Sequence, residues 1–417
     1  MGKTFYFENI NILMGPNVEI TKDNLLIIDN KIEAFGDEAK KEALKKNIAI
    51  TKSGNKLFAP MLVDTHSILK NPLTGFKDNL ENLKLRAKKS GFGAIALLPN
   101  SDIWRDTPEK IPFQKNNDFD LNIYFWGSFS LKDEGIHLSP HDELLKSGSI
   151  GFSTTNFLNS EIIFKGLSLD SVKSYPIIFS LTKEKSAQKG IINKDLNSLQ
   201  AGFYVIDNNN ELSEVKNILG IKNLFPSKNI VIKNISDSNS LKEIKKQNIS
   251  ISTTISWWSL IADTNNLELD DLGWKVDPPL GSKENRELLI KGLEKDLIQA
   301  IAVNSIALND EDTFVPVKDR SIGISSFELV LPLLWEELVN KRSWSVSKLW
   351  KYLSFSPSNL LGIKQEELSL GSKRWLMFDP DTKWFNNQIN LGYDSPSNFP
   401  KKNNLIKGKV IHVGLDC

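Results

Sequence analysis

A single cysteine, Cys417 at the last position, is all the thiol this 417-residue chain carries. That excludes an internal disulfide framework and any cysteine-built zinc knuckle, and it fits a reducing cytosol. Histidine is nearly as scarce: His66, His137, His141 and His412 are the whole supply, so a histidine-rich metal centre has few ligands to draw on. An excess of one charge is missing too. Fifty-two basic against 51 acidic side chains leave a formal +1, which gives no reason to expect nucleic acid or an anionic membrane as partner. No apolar run reaches transmembrane length, and the opening MGKTFYFENINILMG lacks the basic region and continuous apolar block of a secretory signal. A cytoplasmic protein is expected.

What is present is ordinary globular material, 40% hydrophobic and 25% charged, long enough for one large domain and a smaller one. The first stretch reads as short strands, KTFYFENINIL and NLLIIDNKIEAFG, with turn chemistry at Asp29-Asn30, followed by the helical KEALKKN. From Phe58 the texture changes to short apolar runs: LFAPMLVD, GAIALLPN, NIYFWGSF, SIGFST, YPIIFSL, NIVIKNIS, ISISTTIS and QAIAVNSI. Helical stretches fall between several of them, such as KDNLENLKLRAKKS and KENRELLIKGLEKD. In SPHDELLKSG, Ser139 reads as the N-cap, Pro140 as the first helical residue and Gly148 as the terminator.

Eight near-continuous apolar strands alternating with helices over about 250 residues match a closed (β/α)8 barrel, whose parallel strands are covered on both faces. An open doubly wound sheet gives the same run of strands, and the pattern alone leaves both standing. AGFYVIDN is read as part of a long fifth connection. Two helical segments containing Trp335, Trp344 and Trp350 follow the last strand and read as barrel packing. Beyond Gly362 the chain returns to strands, RWLMFDP, NQINLGYD and KGKVIHVGL. The expected organisation is α/β: residues 58–362 form a TIM-like (β/α)8 barrel, and 1–57 with 363–417 form a small β-sandwich from both termini.

In such a barrel, chemistry stands at the C-terminal ends of the strands. Those ends here are Asp64-Thr65-His66-Ser67-Ile68, Pro99-Asn100, Ser153-Thr154-Thr155, Ser180, Asn234, Ser256-Trp257-Trp258 and Asn304-Ser305. They are polar but almost free of metal ligands. His137 and His141 are four apart, but a helix starting at Pro140 keeps them off one face, so surface or capping positions are expected for both. His412 reads as an ordinary surface or hydrogen-bonded residue, and the basic KKNNLIKGK end as a solvated edge.

The chain resembles the dihydroorotase group of cyclic amidohydrolases along nearly its whole length. APMLVDTHSILKNP, GFGAIALLPNS, SGSIGFSTT, KVDPPLGSKENRELLIKGL, QAIAVNS, GISSFELVLPLL, FDP and the terminal KGKV carry the resemblance. Most telling are Pro278-Pro279-Leu280 followed by Arg286, and Leu98-Pro99-Asn100. The resemblance implies a hydrolase of cyclic amides, working at zinc in pyrimidine biosynthesis, where carbamoyl-aspartate closes to dihydroorotate. It also implies which residues should be there and are not.

The family's DxHxH keeps Asp64 and His66, but Ile68 stands at the second histidine and Lys70 at the following arginine. The acidic pair after strand four is Thr154-Thr155, the next two histidines are Ser180 and Asn234, Pro-His-His is replaced by Trp257-Trp258-Ser259, and the general-base aspartate is Asn304. Catalytic zinc typically needs three protein ligands plus an open position, and Asp64 with His66 makes two. Asparagine cannot serve as a base near neutral pH. Trp258 would put a large ring where substrate should sit.

His66 is therefore expected to be a structural residue hydrogen-bonded with Asp64, and zinc is expected to be lost. Lys70, Asn100 and Asp277 keep positions of the substrate framework and are the candidate substrate-binding residues, with no confident catalytic residue. Two functions follow. One is a pseudoenzyme, a silent dihydroorotase-like protein acting as structural or regulatory partner, by resemblance to noncatalytic chains that assemble with aspartate carbamoyltransferase, or self-associating. The other is a working dihydroorotase or other cyclic amidohydrolase with a remodelled site.

Overall fold

The computed structural model describes residues 2–70, 79–100, 103–112, 118–154, 159–181, 192–193, 205–206, 209–268, 270–316, 319–392 and 395–415. The N-terminal residues form β1 (Phe5–Ile12), β2 (Thr21–Ile28), β3 (Lys31–Phe35), the short β4 (Ile50–Thr51) and β5 (Leu57–Pro60). The barrel strands are β6 (Leu62–Ser67), β7 (Phe92–Leu97), β8 (Asn122–Ser128), β9 (Ser149–Thr154) and β10 (Ile177–Ser180). After the short β11 (Ile192–Asn193) and β12 (Val205–Ile206) come β13 (Ile230–Lys233), β14 (Ser252–Ser256) and β15 (Ala300–Ala302). The chain ends in β16 (Trp375–Phe385) and β17 (Leu405–Val413).

Eight parallel strands run in the order β15-β14-β13-β10-β9-β8-β7-β6. The ring closes between its first and last members: a parallel bridge joins Ile68 to Ile306, the Ile68 N–H donates to Ser305 O (2.8 Å), and the Asn304 N–H donates to His66 O (3.1 Å). Closure removes the open-sheet alternative. It also leaves no unpaired edge on these buried strands.

Their inward residues, including Val63, Ala96, Leu98, Trp126, Ile178, Val231 and Ala300, pack together in the lumen. Leu360 and Leu361, from the helix Ser356–Leu361, join the same cluster. That helix is tied to the start of β6, where Ser354 Oγ donates to Met61 O and Trp350 Nε1 donates to Pro60 O. The N-terminal end of the barrel is plugged by leucine, so any polar chamber must lie at the other end. Trp344 and Trp350 are buried and Trp335 half-buried, in keeping with barrel packing.

The run LFAPMLVD is two strands and not one. Leu57–Pro60 pairs with β1 and antiparallel with β16, and only Leu62–Ser67 enters the barrel. The terminal sheet, β17-β16-β5-β1-β2-β3 with β4 beside β1, is thus joined from both ends of the chain at the β5–β16 pair. One face buries Phe7, Ile27, Phe58 and Trp375, while the helix Gly36–Lys45 lays Ala39 and Ala43 over Tyr6 and Leu26 on the other.

Within AGFYVIDN, Val205–Ile206 pairs with Ile192–Asn193 as a separate two-stranded parallel element, and residues 201–204 and 207–208 lie outside the described residues. The helix expected from Pro140 begins one residue later at His141, with Pro140 as its cap.

Candidate functional site

The residues that carry the resemblance divide according to what their side chains touch. Asp64 is fully buried and turned into the β15–β6 seam. Its Oδ1 accepts the Val303 N–H (2.8 Å) and the His66 N–H (3.4 Å), its Oδ2 accepts the Ser67 hydroxyl, and Ser67 Oγ in turn accepts the Ser305 N–H (3.0 Å). A carboxyl group is thus hydrogen-bonded across the closing edge of the barrel. Burial pushes it up to about 7 against these donors.

His66 corrects an expectation. Its ring does not pair with the Asp64 carboxylate: Nε2 lies 2.9 Å from Thr254 Oγ1 on β14, which also accepts the Asn234 N–H (2.9 Å). Burial, reinforced by the neighbouring Lys233 ammonium, pushes the imidazole down to about 3, so it is neutral at physiological pH. Asn304 adopts a left-handed backbone, φ 49°, which asparagine tolerates. Its Nδ2 donates to Asp277 O (2.6 Å), directly before the cis peptide to Pro278, which fastens the PPL loop to the end of β15. Ile68 at the second histidine position forms the seam bridge itself.

The expected substrate residues are committed to the loops around them. Asn100 Nδ2 donates to Leu69 O (2.7 Å) and Lys70 O (3.1 Å), and its Oδ1 accepts the Ile103 N–H (3.1 Å). Lys70 is partly exposed, donates to Ser321 Oγ (3.2 Å) and lies 3.9 Å from Asp312. Asp277 enters the network through its carbonyl. Arg286, after the PPL loop, pairs with Asp263 at 3.0 Å and Glu337 at 3.2 Å, both buried. Arg105 is buried against the Leu97, Leu98 and Trp126 carbonyls, and burial lowers it to about 9.

Trp257 and Trp258 are fully buried, their ring centroids 5.3 Å apart. Trp258 Nε1 donates to Gly273 O (2.9 Å), and a Cβ on Gly273 would come within 2.4 Å of the ring. The indole therefore locks the loop after β14 at a position where only glycine fits. On the opposite arc, Thr154 and Asn234 are buried and Ser180 is partly covered; Thr155 lies outside the described residues.

His141, expected at a surface or cap, is buried between Phe152 (4.1 Å between ring centroids) and Phe129, with Nε2 2.8 Å from Phe129 O. The two phenylalanine rings outweigh its polarity once one nitrogen is hydrogen-bonded. His137 is exposed, and His412 is half-buried, 3.0 Å from Lys3 Nζ.

This donor set does not fit the catalytic zinc that the resemblance implies. Asp64 faces the seam, the His66 nitrogen nearest the lumen wall is taken by Thr254, and the remaining positions offer hydroxyl or amide groups, or an indole. Among the described residues no group of three or more His, Cys, Asp or Glu side chains converges.

One residue of this rim escaped the reading of strand ends. Lys233, the last residue of β13, is 5% exposed and sits in register with Ser180. Its signal was the lone charge in the apolar strand NIVIK, two positions from the inward-facing Val231.

No protein-family model matches the chain. A probable dihydroorotase-like protein from Synechocystis sp. is 25% identical over 94% of this chain and 95% of its own length. A dihydroorotase from Pediococcus pentosaceus is 24% identical over 83% and 82%. Among solved structures, the L-hydantoinase (dihydropyrimidinase) of Arthrobacter aurescens superposes with a TM-score of 0.74 at 16% identity, covering 98% of this chain and 94% of that one. No described helix is long and apolar enough to cross a membrane. The closed barrel, the sheet joined from both termini and a likeness that runs nearly end to end make the chain similar to dihydroorotase-like proteins in sequence and to hydantoinases in fold.

Proposed function

We propose that this protein is a noncatalytic dihydroorotase-like scaffold, which keeps the amidohydrolase barrel and serves as a structural or regulatory partner in pyrimidine biosynthesis. Aspartate carbamoyltransferase is the partner to test first. The observation that carries the reading is the use made of the surviving motif residues. Asp64 is hydrogen-bonded across the barrel seam, and Asn304, at the general-base position, donates a hydrogen bond where a base would have to accept a proton. A pseudoenzyme retains what folds and sheds what reacts; fold and activity separate in this way because they rest on different atoms.

The deciding experiment measures the metal content of purified protein and assays carbamoyl-aspartate cyclisation with and without added zinc. Substoichiometric zinc and no turnover above background are expected. Stoichiometric zinc with turnover would overturn the reading. For the partner, affinity purification from the native cell is expected to retrieve aspartate carbamoyltransferase at stoichiometric yield, and recovery of this chain alone under conditions that preserve weak complexes counts against that assignment.

A further inference from the structure

The upper lumen has a charge pattern opposite to that of a metal site. Parallel register aligns Ser153 with the inward Ile178, and Ser180 with Lys233, while Thr254 and Ser256 align with Ala300 and Ala302. Because side chains alternate along a strand, Ser153 and Thr254 lie level with the inward Ile178 and Ala300, the next positions above Ile178, Val231 and Ala300 are Ser180, Lys233 and Ala302, and the His66 imidazole reaches Thr254. Trp126 lies in the apolar cluster with Ile178, Val231 and Ala300, its Nε1 donating to Thr65 O.

Several groups here have no hydrogen-bond partner among the described residues. Ser153 Oγ, His66 Nδ1 and both polar atoms of the Asn234 amide are buried and unpaired. Lys233 makes no ion pair or hydrogen bond with the described residues, although only 5% of its surface is exposed. Asp64, the carboxyl group on β6, is turned into the seam with its oxygens accepting from Val303, His66 and Ser67. A buried ammonium without a counter-charge is costly, and buried polar groups are normally hydrogen-bonded. One ligand would resolve both conditions.

We propose that this chamber is a metal-free anion site in which the Lys233 ammonium binds the carboxylate of a small organic acid, with the Ser153 hydroxyl, the Asn234 amide and His66 Nδ1 completing its hydrogen bonds. The inference rests on the reading that zinc is lost: where relatives would concentrate positive charge on a metal, this chain concentrates it on a lysine. One fixed cation surrounded by neutral donors matches a single carboxylate group, which brings one charge to the lysine, better than a phosphate dianion, whose two charges share one centre.

The test is titration of the full-length, metal-free protein with malonate, and separately with inorganic phosphate, followed by calorimetry and thermal melting. Malonate is expected to bind and to raise the melting temperature. Lys233→Met removes an unpaired buried charge while keeping the bulk, so the variant is expected to fold, to melt no lower than unliganded wild type, and to bind malonate at least about tenfold more weakly. Ser153→Val keeps the charge and is expected to weaken binding by a smaller factor. Absence of malonate binding, or binding that Lys233→Met leaves unchanged, overturns the site, and tighter binding of phosphate overturns the carboxylate assignment. Zinc content separates this from the reading beneath it: metal-free, inactive protein that ignores malonate sinks only the anion site.

Discussion

The two halves of the barrel rim have been treated differently. On the seam side, Asp64, Ser67, Asn100, Asn304 and the Asp277 carbonyl are joined in a hydrogen-bond network that closes the barrel and fastens its loops. On the far side, the Ser153 hydroxyl and the Asn234 side-chain amide are buried without partners among the described residues, and Lys233 has no counter-charge among those residues. Asp64 and Asn100, which match the family motif, have structural tasks, and so do Ile68 and Asn304, which depart from it. Replacing a metal ligand costs folding nothing when the neighbouring backbone does not depend on it.

That contrast can be broken most forcefully at Asp64. Asp64→Ala strands the Val303 N–H and the Ser67 hydroxyl in the closed seam, and a loss of about 3 to 5 kcal/mol is expected in urea denaturation, with Asp64→Asn recovering a large part of it. An equally large loss from Ser153→Ala on the far side would erase the distinction between the two arcs.

Acid titration sharpens it next. Asp64 is raised to about 7, so its protonated form is favoured by folding; stability from this group is full below about pH 4 and declines as pH rises towards 7. His66 is lowered to about 3, so the unfolded chain takes up a proton that the folded one refuses; stability from this group is lost as pH falls from about 6.5 to about 3. The two slopes oppose each other between about pH 4 and 6.5. His66→Gln removes one of them, and the variant is expected to gain on wild type by roughly 3 kcal/mol between pH 7 and pH 4 in paired urea curves.

A smaller effect is expected at Asn304. Asn304→Asp sets a carboxylate against the Asp277 carbonyl it now donates to, costing about 1 to 3 kcal/mol and restoring no zinc-dependent turnover. The architecture of this barrel was legible before any coordinate, because near-continuous apolar runs bounded by capped helices leave few alternatives. Asn79 and Ser282 both cap helices in the stretches that the pattern marked. The departures at Ile68, Ser180 and Asn234 from the motif that the resemblance implies are read from the sequence alone. His141 was expected at a surface or cap because a helix starting at Pro140 separates it from His137, whereas the ring is packed against Phe152 with Nε2 bonded to the Phe129 carbonyl. Lys233 was not legible as a rim residue from its strand alone, because its burial depends on the segments around it and its place on the rim on register with Ser180.

By itself, then, the order of residues determined most of the strands and the parallel arrangement of those in the barrel, since each depends on local pattern, although NQINLGYD, expected as a strand, carries the short helix Gln388–Leu391. Only the tertiary structure decided what the survivors do. Ring closure brings Val303 and Ser305 to Asp64 and Ser67, more than two hundred residues away, and β-sheet register places Lys233 beside Ser180 and within the field of His66. Hydrogen-bond partners and burial arise from contacts between distant segments, and no spacing along a single strand encodes them.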